Sequence, residues 1–169
     1  VELLAALVDG CGLSLINRGQ LSLVHKWRQH VPDDIAVKYP VLVLTDLWVR
    51  VVDLGLDEAN RALDDLLLRW GDSDSKAQLT DSMLAALAIK SLIALQKDDL
   101  RTCVKLARRV ELQLGSRTAF LEVAMLVIGA FANVMMGWHD AARKLLTLAN
   151  QRNHFLDGNY LQMQLINVE

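Results

Sequence analysis

The sequence contains few cysteines and few prolines. Two cysteines, Cys11 and Cys103, lie far apart in 169 residues, each within an apolar helical pattern. This spacing argues against a disulfide framework, so we expect free, buried thiols of the kind found in a reducing cytosol. The only prolines, Pro32 and Pro40, leave long stretches without the ring that breaks helices. Between them lies DDIAVKY, where we expect a loop.

The sequence also lacks an excess of positive charge and a long hydrophobic run. With 18 basic and 20 acidic residues the formal net charge is −2, so no overall field draws the chain to nucleic acid. The longest apolar run, residues 120–136, contains Glu122 and Asn133 and falls short of the roughly 20 residues that cross a bilayer. We therefore expect a buried helix there, and neither nucleic acid nor membrane as a partner.

No sequence motif of catalysis or metal binding is present. His25 and His30, like His139 and His154, are not spaced four residues apart, as two imidazoles that share a metal ion on one helix would be. The chain has no phosphate-binding loop and no nucleophile elbow. We expect a non-catalytic protein with no metal and no cofactor. An α-helical enzyme whose catalytic residues are dispersed along the sequence is the alternative.

The composition is that of a globular chain, with 53% hydrophobic and 22% charged residues. A chain of this length fits one domain, which we assign to residues 1–169. The sequence begins with Val rather than Met and has no basic segment followed by an apolar one at its start. We expect a part of a longer cytoplasmic protein.

Apolar residues recur three and four positions apart, the period of amphipathic helices. Leu63, Leu66 and Leu67 show this spacing, and no segment alternates as a strand does. Breaks at glycines and short polar stretches divide the chain into nine predicted helices: residues 2–18, 20–31, 40–54, 56–70, 77–96, 98–114, 118–136, 138–152 and 158–168. The predicted fold is all-α, built from consecutive antiparallel hairpins.

Four of the breaks resemble one another: RGQLSLV, LGLDEA, KDDLRTC and MGWHDAA. Matching positions hold Leu21, Leu56, Leu100 and His139, and three residues later come the smaller Val24, Ala59, Cys103 and Ala142. These junctions recur roughly every 40 residues, as in repeats of helix pairs that cover one another's apolar faces.

The residue types at the junctions suit tight turns. We expect Gly19, Gly55 and Gly137 to adopt the left-handed conformation that ends a helix. Asp57 and Asp98 lie where an acidic side chain favours a helix start. A small residue one turn into the second helix lets the two backbones approach closely.

A resemblance to a family is carried by residues 15–70. Its residues are Arg18, Gly19, Leu21, Trp27, Val31, Pro32, Pro40, Leu42, Trp48, Gly55 and Ala59. In this pattern the chain resembles the helical-repeat region of large ATP-binding LuxR-type transcriptional regulators, of the maltose-regulon-activator group. The resemblance implies a tetratricopeptide-like superhelix, an α-solenoid, that senses effectors between an ATPase and a DNA-binding module.

Candidate binding residues follow on two helices. In such superhelices the first helix of each pair lines the concave surface, where Trp48 and Arg50 would meet a ligand or partner. The alternative is that Asp46, Arg50 and Asp53 form a solvated face with a modest ion pair.

The second candidate pair lies on the apolar helix 118–136. Glu122, Gly129 and Asn133 fall on one stripe, where buried polar groups need partners. Either a small ligand lies in a groove there, or neighbouring protein groups satisfy Glu122 and Asn133. The mid-helix glycine suggests close approach of the next helix.

The remaining basic clusters, among them Arg108–Arg109 and Arg143–Lys144, are expected on outward faces. The predicted function is effector sensing and protein interaction through the concave face, with self-association through exposed solenoid ends. A tetratricopeptide-like adaptor that holds a partner protein is the alternative.

Overall fold

The computed structural model describes residues 1–53, 55–70, 81–111 and 119–153. Every regular element in these ranges is a helix, which confirms the all-α class for this part of the chain. The helices are α1 Glu2–Asn17, α2 Leu21–Arg28, α3 Asp33–Ala36, α4 Pro40–Val52, α5 Leu56–Trp70, α6 Asp81–Gln96, α7 Leu100–Glu111, α8 Ala119–Met135 and α9 His139–Asn153. The helix predicted over residues 158–168 and the tract GDSDSK lie outside the described residues.

The loop predicted between the two prolines is wrong in one respect, because it contains the short helix α3. The carbonyl of Pro32 accepts hydrogen bonds from the backbone N–H groups of Ile35 (3.1 Å) and Ala36 (2.9 Å). Pro40 begins α4, where its missing N–H is harmless. The Asp9 carboxylate of α1 accepts a hydrogen bond from the N–H of Leu42 (3.0 Å) and so satisfies the first turn of α4.

The chain divides into two compact units, Val1–Ala77 and Gln78–Glu169. In the first unit α1 packs against α2 and α4 against α5, and α4 also contacts both α1 and α2. In the second unit α6 packs against α7 and α8 against α9, and α8 also contacts both α6 and α7. Apart from the contacts of α3 with α1 and α4, each unit thus stacks two helical hairpins with the same set of contacts. The superhelix and the single domain over residues 1–169 stay predictions.

The four similar junctions form the same turn. A backbone N–H donates to the carbonyl five residues earlier in each: Gln20 to Leu15, Gly55 to Arg50, Asp99 to Ala94 and Trp138 to Asn133, at 2.8 to 2.9 Å. This bond closes a Schellman-type helix end. The next helix begins one residue later, at the matched positions Leu21, Leu56, Leu100 and His139. The smaller residues predicted at the contact, Val24, Ala59, Cys103 and Ala142, are all buried.

Two expectations about these turns are wrong. Gly19 and Gly137 have φ values of 72° and 76°, but Gly55 is not left-handed. The N–H of Gly55 donates to the carbonyl five residues earlier, as the N–H of Asp99 does, so Gly55 corresponds to Asp99 rather than to the left-handed Asp98. Asp98, which we expected to start a helix, is itself left-handed with φ of 58°. The neighbouring Asp99 carboxylate accepts the hydrogen bond from the Thr102 N–H (3.2 Å) and caps α7.

The core lies along the stacked helices of each unit. In the first unit it includes Ala5, Val8, Val31, Ala36 and Leu42. In the second unit one cluster joins Ala94, Cys103, Val104 and Ala132. Cys103 is buried and donates from its thiol to the carbonyl of Ser91 (3.2 Å), whereas Cys11 is partly exposed. Burial raises the pKa of the Cys103 thiol to about 11, so this group stays protonated at neutral pH.

Two glycines of α1 provide a matched test of hairpin stacking. A Cβ added to Gly12 would lie 2.7 Å from Cγ2 of Thr45 on α4, whereas one added to Gly10 would meet nothing within 4 Å. We expect Gly12→Ala to lower the free energy of unfolding by about 1–3 kcal/mol through overpacking. Gly10→Ala should raise it by about 0.5–1 kcal/mol through helix propensity.

The measurement is urea denaturation of both variants and the parent chain, followed by circular dichroism. Equal effects of the two substitutions would contradict close packing of α1 on α4 at Gly12. A shift in the slope as well as the midpoint would signal a change in the unfolded state instead.

Candidate ligand-binding site

The four residues predicted to bind a ligand lie in both units. Trp48 and Arg50 belong to α4 of the first unit, and Glu122 and Asn133 belong to α8 of the second. Trp48, Glu122 and Asn133 are buried, with 3%, 1% and 3% of their surface exposed. Arg50 is the member of the set whose side chain reaches solvent. Their role in binding stays a prediction.

Asp46 is a buried carboxylate with three basic side chains within 4.0 Å. On α4 it contacts Nε of Arg50 at 2.9 Å and Nε of Arg28 at 4.0 Å. Nδ1 of His25 lies 3.4 Å from its other oxygen. His25, Arg28, Asp46 and Arg50 form the Asp46 cluster. Because two of its members belong to α2, the cluster ties the end of one hairpin to the start of the next.

Arg28 extends this cluster to the start of α3. Its guanidinium donates to the carbonyl of Val31 (2.6 Å) and to the Asp33 carboxylate. The hydrogen bond and the charge of Arg28 hold the pKa of Asp33 below its usual value. Asp33 is therefore ionised over a wider range of acid pH than a free aspartate. Through its contacts with Val31 and Asp33, the Arg28 side chain fixes the backbone that joins α2 to α3.

The prediction of a solvated face on α4 is wrong for Asp46, although its ion pair with Arg50 is confirmed. The stripe of charges on α4 was visible in the sequence, but its orientation was not. A signal for burial was the presence of two further basic residues, His25 and Arg28, one turn apart on α2. Tertiary contact between α2 and α4 was needed to connect them.

The polar stripe on α8 has contacts within the second unit, although the buried side-chain oxygen of Asn133 accepts no hydrogen bond from the described residues. The Glu122 carboxylate lies 3.7 Å from Nε of Arg152 on α9. The Asn133 amide donates to the carbonyl of Gly129 one turn earlier (2.6 Å) rather than to a loop. Close approach at Gly129 is confirmed, but the nearest helix is the preceding one: a Cβ there would lie 2.4 Å from the Cβ of Ala107 on α7 and 3.3 Å from Cδ1 of Leu145 on the next helix, α9.

The second unit has a groove of about 630 Å³ between α7 and the turn that joins α8 to α9. Four cations line it: Arg101, Lys105, Arg108 and Arg109. Its apolar surface comes from Val104, Met136 and Trp138. We call this hollow the basic groove. It combines a cationic wall with an indole, of which 45% is exposed.

The cations of the basic groove have no acidic partners among the described residues. Arg101, Lys105 and Arg108 follow one another at four and three residues and so share a face of α7. Like charges at these spacings destabilise a helix by about 0.2–0.5 kcal/mol per pair. Arg101 also lies in the first turn, where the helix dipole disfavours a cation. This charge arrangement therefore weakens α7 unless an anion is bound.

A smaller hollow of about 300 Å³ lies between Val134 and the face of α9 that carries His139 and Arg143. It differs from the basic groove because Arg143 already pairs with Asp140 at 3.3 Å. The sequence predicted that the basic clusters face outward, and Arg108 and Arg143 are indeed exposed. For the cluster at residues 25–28 on α2 the prediction is wrong in part, because Trp27 packs against the core and the side chain of Arg28 is only 15% exposed.

The described residues contain no group of three or more His, Cys, Asp or Glu side chains that could hold a metal ion. Nor is any helix in these ranges long and apolar enough to cross a membrane. In comparisons with family models, curated proteins and solved structures, no significant match to the chain was found. The resemblance to LuxR-type regulators accordingly stays a prediction carried by the sequence pattern.

Proposed function

We propose that the chain is the effector-sensing and protein-interaction domain of a bacterial, cytoplasmic LuxR-type transcriptional regulator. It is non-catalytic in this proposal and couples ligand or partner binding to ATPase and DNA-binding modules of a longer protein. The observation that carries the proposal is the repeated hairpin: four junctions with the same turn, stacked in the same way in both units. Repeats of this kind build extended binding surfaces rather than closed catalytic pockets.

The mechanism follows from how the hairpins touch. Gly12 against Thr45 and Gly129 against Ala107 leave no space between neighbouring helices. Close-packed contacts of this kind change between discrete arrangements rather than deforming continuously. An effector that binds one hairpin arrangement more tightly than another shifts the population of the two, and the shift reaches the modules at either side.

The binding residues of the proposal are Trp48, Arg50, Glu122 and Asn133. Arg50 offers its guanidinium to a ligand or partner directly, since its side chain is 44% exposed. The three buried residues respond to binding through a change in helix packing. An isotherm unaffected by Arg50→Ala and by Asn133→Ala would contradict this assignment of residues while leaving the fold intact.

The experiment that tests the proposal is a thermal-shift screen of the chain against a metabolite library, with the mass followed by light scattering. A ligand at 100 times its Kd adds about 2.7 kcal/mol to the free energy of unfolding. For a domain of this size that raises Tm by several degrees. A reproducible shift would support sensing, and the absence of any shift across the library would contradict it. Mass above the monomer would support self-association.

An adaptor function is favoured by one separate observation. Phe131, Val134 and Met135 are exposed on one face of α8, and Trp138 follows at the same spacing. Exposed apolar stripes mark surfaces for protein partners. Two results together would support the adaptor in place of the sensor. One is binding of a single partner with fixed stoichiometry that is lost in Met135→Lys, and the other is the absence of any thermal shift with metabolites.

A further inference from the structure

We propose that the basic groove binds an aromatic polyanion, a small molecule that joins a flat ring to at least two negative charges. This inference places a binding site on the second unit that none of Trp48, Arg50, Glu122 and Asn133 lines. It rests on the proposed function only in taking the ligand of this groove as an effector. The binding chemistry itself depends only on the described residues of α7 and of the turn between α8 and α9.

The charge of the ligand follows from the cations. Arg101, Lys105, Arg108 and Arg109 line a single groove, and no described carboxylate neutralises them. The whole chain has a net charge of −2, so this local excess runs against its overall charge. Guanidinium groups bind phosphate and carboxylate oxygens through two parallel hydrogen bonds. A ligand with a single negative charge would leave most of this wall unpaired.

The ring of the ligand follows from Trp138. Its backbone is fixed on both sides, because its N–H donates to Asn133 (2.8 Å) and its carbonyl accepts from Ala142 (3.0 Å). The indole is nearly half exposed and shares the groove with Val104 and Met136. An exposed aromatic surface held next to cations stacks a flat ring while the cations hold its charges.

The size of the groove fits this class. A volume of about 630 Å³ lies within the range of roughly 300–1,000 Å³ typical of small-molecule sites. An acidic peptide has similar charge, but it extends beyond such a groove. It also lacks a single ring placed beside several negatively charged groups. We therefore favour the small molecule and make the peptide an outcome of the test.

The test is isothermal titration of the chain with four probes. Adenosine diphosphate and a naphthalene trisulfonate each combine a ring with several charges, whereas pyrophosphate supplies charge alone and adenosine a ring alone. We expect both combined probes to bind at least 10-fold more tightly than pyrophosphate or adenosine. Tight binding of adenosine diphosphate alone would identify a nucleotide, and equal binding of the two would identify aromatic polyanions in general.

Variants assign the binding to the groove. Arg108→Gln should weaken binding of the combined probes by about 5- to 10-fold, because it removes one charge contact. Arg69→Gln removes the same charge from an exposed position on α5, outside the groove, and should change affinity less than 2-fold. Trp138→Leu should abolish the advantage of the combined probes over pyrophosphate. Thermal melts identify any variant that fails to fold, and Trp138→Phe, which keeps a ring, should retain most of that advantage.

Several outcomes overturn the inference. Pyrophosphate as tight as adenosine diphosphate would show that the ring is irrelevant. Equal losses of affinity for the combined probes in Arg108→Gln and Arg69→Gln would show unspecific charge attraction. An acidic peptide that binds more tightly and displaces both combined probes would make the groove a protein-docking surface.

The same data separate this inference from the proposed function. If neither combined probe binds but a neutral metabolite raises Tm, sensing stands and the groove assignment is wrong. If a combined probe binds at the groove but leaves hydrogen exchange of α6–α9 unchanged beyond the contact residues, the groove stands and the coupling role is wrong.

Discussion

Gly129→Ala is expected to lower the free energy of unfolding by about 1–3 kcal/mol. The new Cβ would lie 2.4 Å from the Cβ of Ala107 and 3.3 Å from Cδ1 of Leu145. Two Cβ atoms are fixed to their helix backbones, so the clash is relieved only when α7 and α8 move apart. The intrinsic gain in helix propensity from Gly to Ala, about 1 kcal/mol, is smaller than the expected loss of packing.

A double-mutant cycle with Ala107→Gly isolates the contact. Ala107→Gly alone should destabilise α7 by about 1 kcal/mol through propensity. The double variant exchanges the two residues and restores the space. Its loss of unfolding free energy should therefore be smaller than the sum of the two single losses by at least about 1 kcal/mol. The measurement is urea denaturation of all four proteins. Additive effects would mean that Gly129 and Ala107 do not touch.

Asp46→Ala is expected to destabilise the protein by about 3 kcal/mol. Removing one partner of a buried ion pair typically costs about 3–5 kcal/mol, because the other charge stays without compensation. We expect the lower end, since His25 and Arg50 are partly exposed and water can solvate them. Arg28 keeps its bonds to Val31 and Asp33.

The control for this substitution is Asp65→Ala. Asp65 is also an aspartate within a helix, α5, but it is exposed, so its removal should change stability by no more than about 0.5 kcal/mol. Thermal and urea denaturation of both variants give the comparison. Similar small effects of the two would show that the Asp46 cluster contributes no stability. Because Asp46 is buried, the loss should persist at high salt.

Local chemistry determined which parts of the fold were predictable. The four junctions could be located from residue type, since the turn residue and the small residue one turn later lie within a few positions of each other in the sequence. The assignment of Gly55 to the left-handed position was wrong because glycines were matched by type rather than by their place in the hydrogen-bonded turn. The helix α3 was missed because four residues are too few to show a helical period.

Tertiary contacts determined what the sequence could not predict about the sites. The spacing of Arg101, Lys105 and Arg108 is visible in the sequence, but Trp138 joins them only because α8 packs on α7. Asp46 was assigned to a solvated face because the stripe on α4 does not show which side meets α2. Glu122 was correctly expected to need a partner, but Arg152 lies on the next helix and no local pattern connects them.

The repeated turn has a consequence for how the chain folds. In each hairpin the turn closes through hydrogen bonds between residues five positions apart or fewer. Closing such short loops loses little chain entropy, and proteins dominated by local contacts fold fast. The stacking of one hairpin on the next joins residues far apart in sequence, as in the hydrogen bond that the N–H of Leu42 donates to the Asp9 carboxylate. We therefore expect the hairpins to form first and the rate of folding to depend on how quickly they pack against one another.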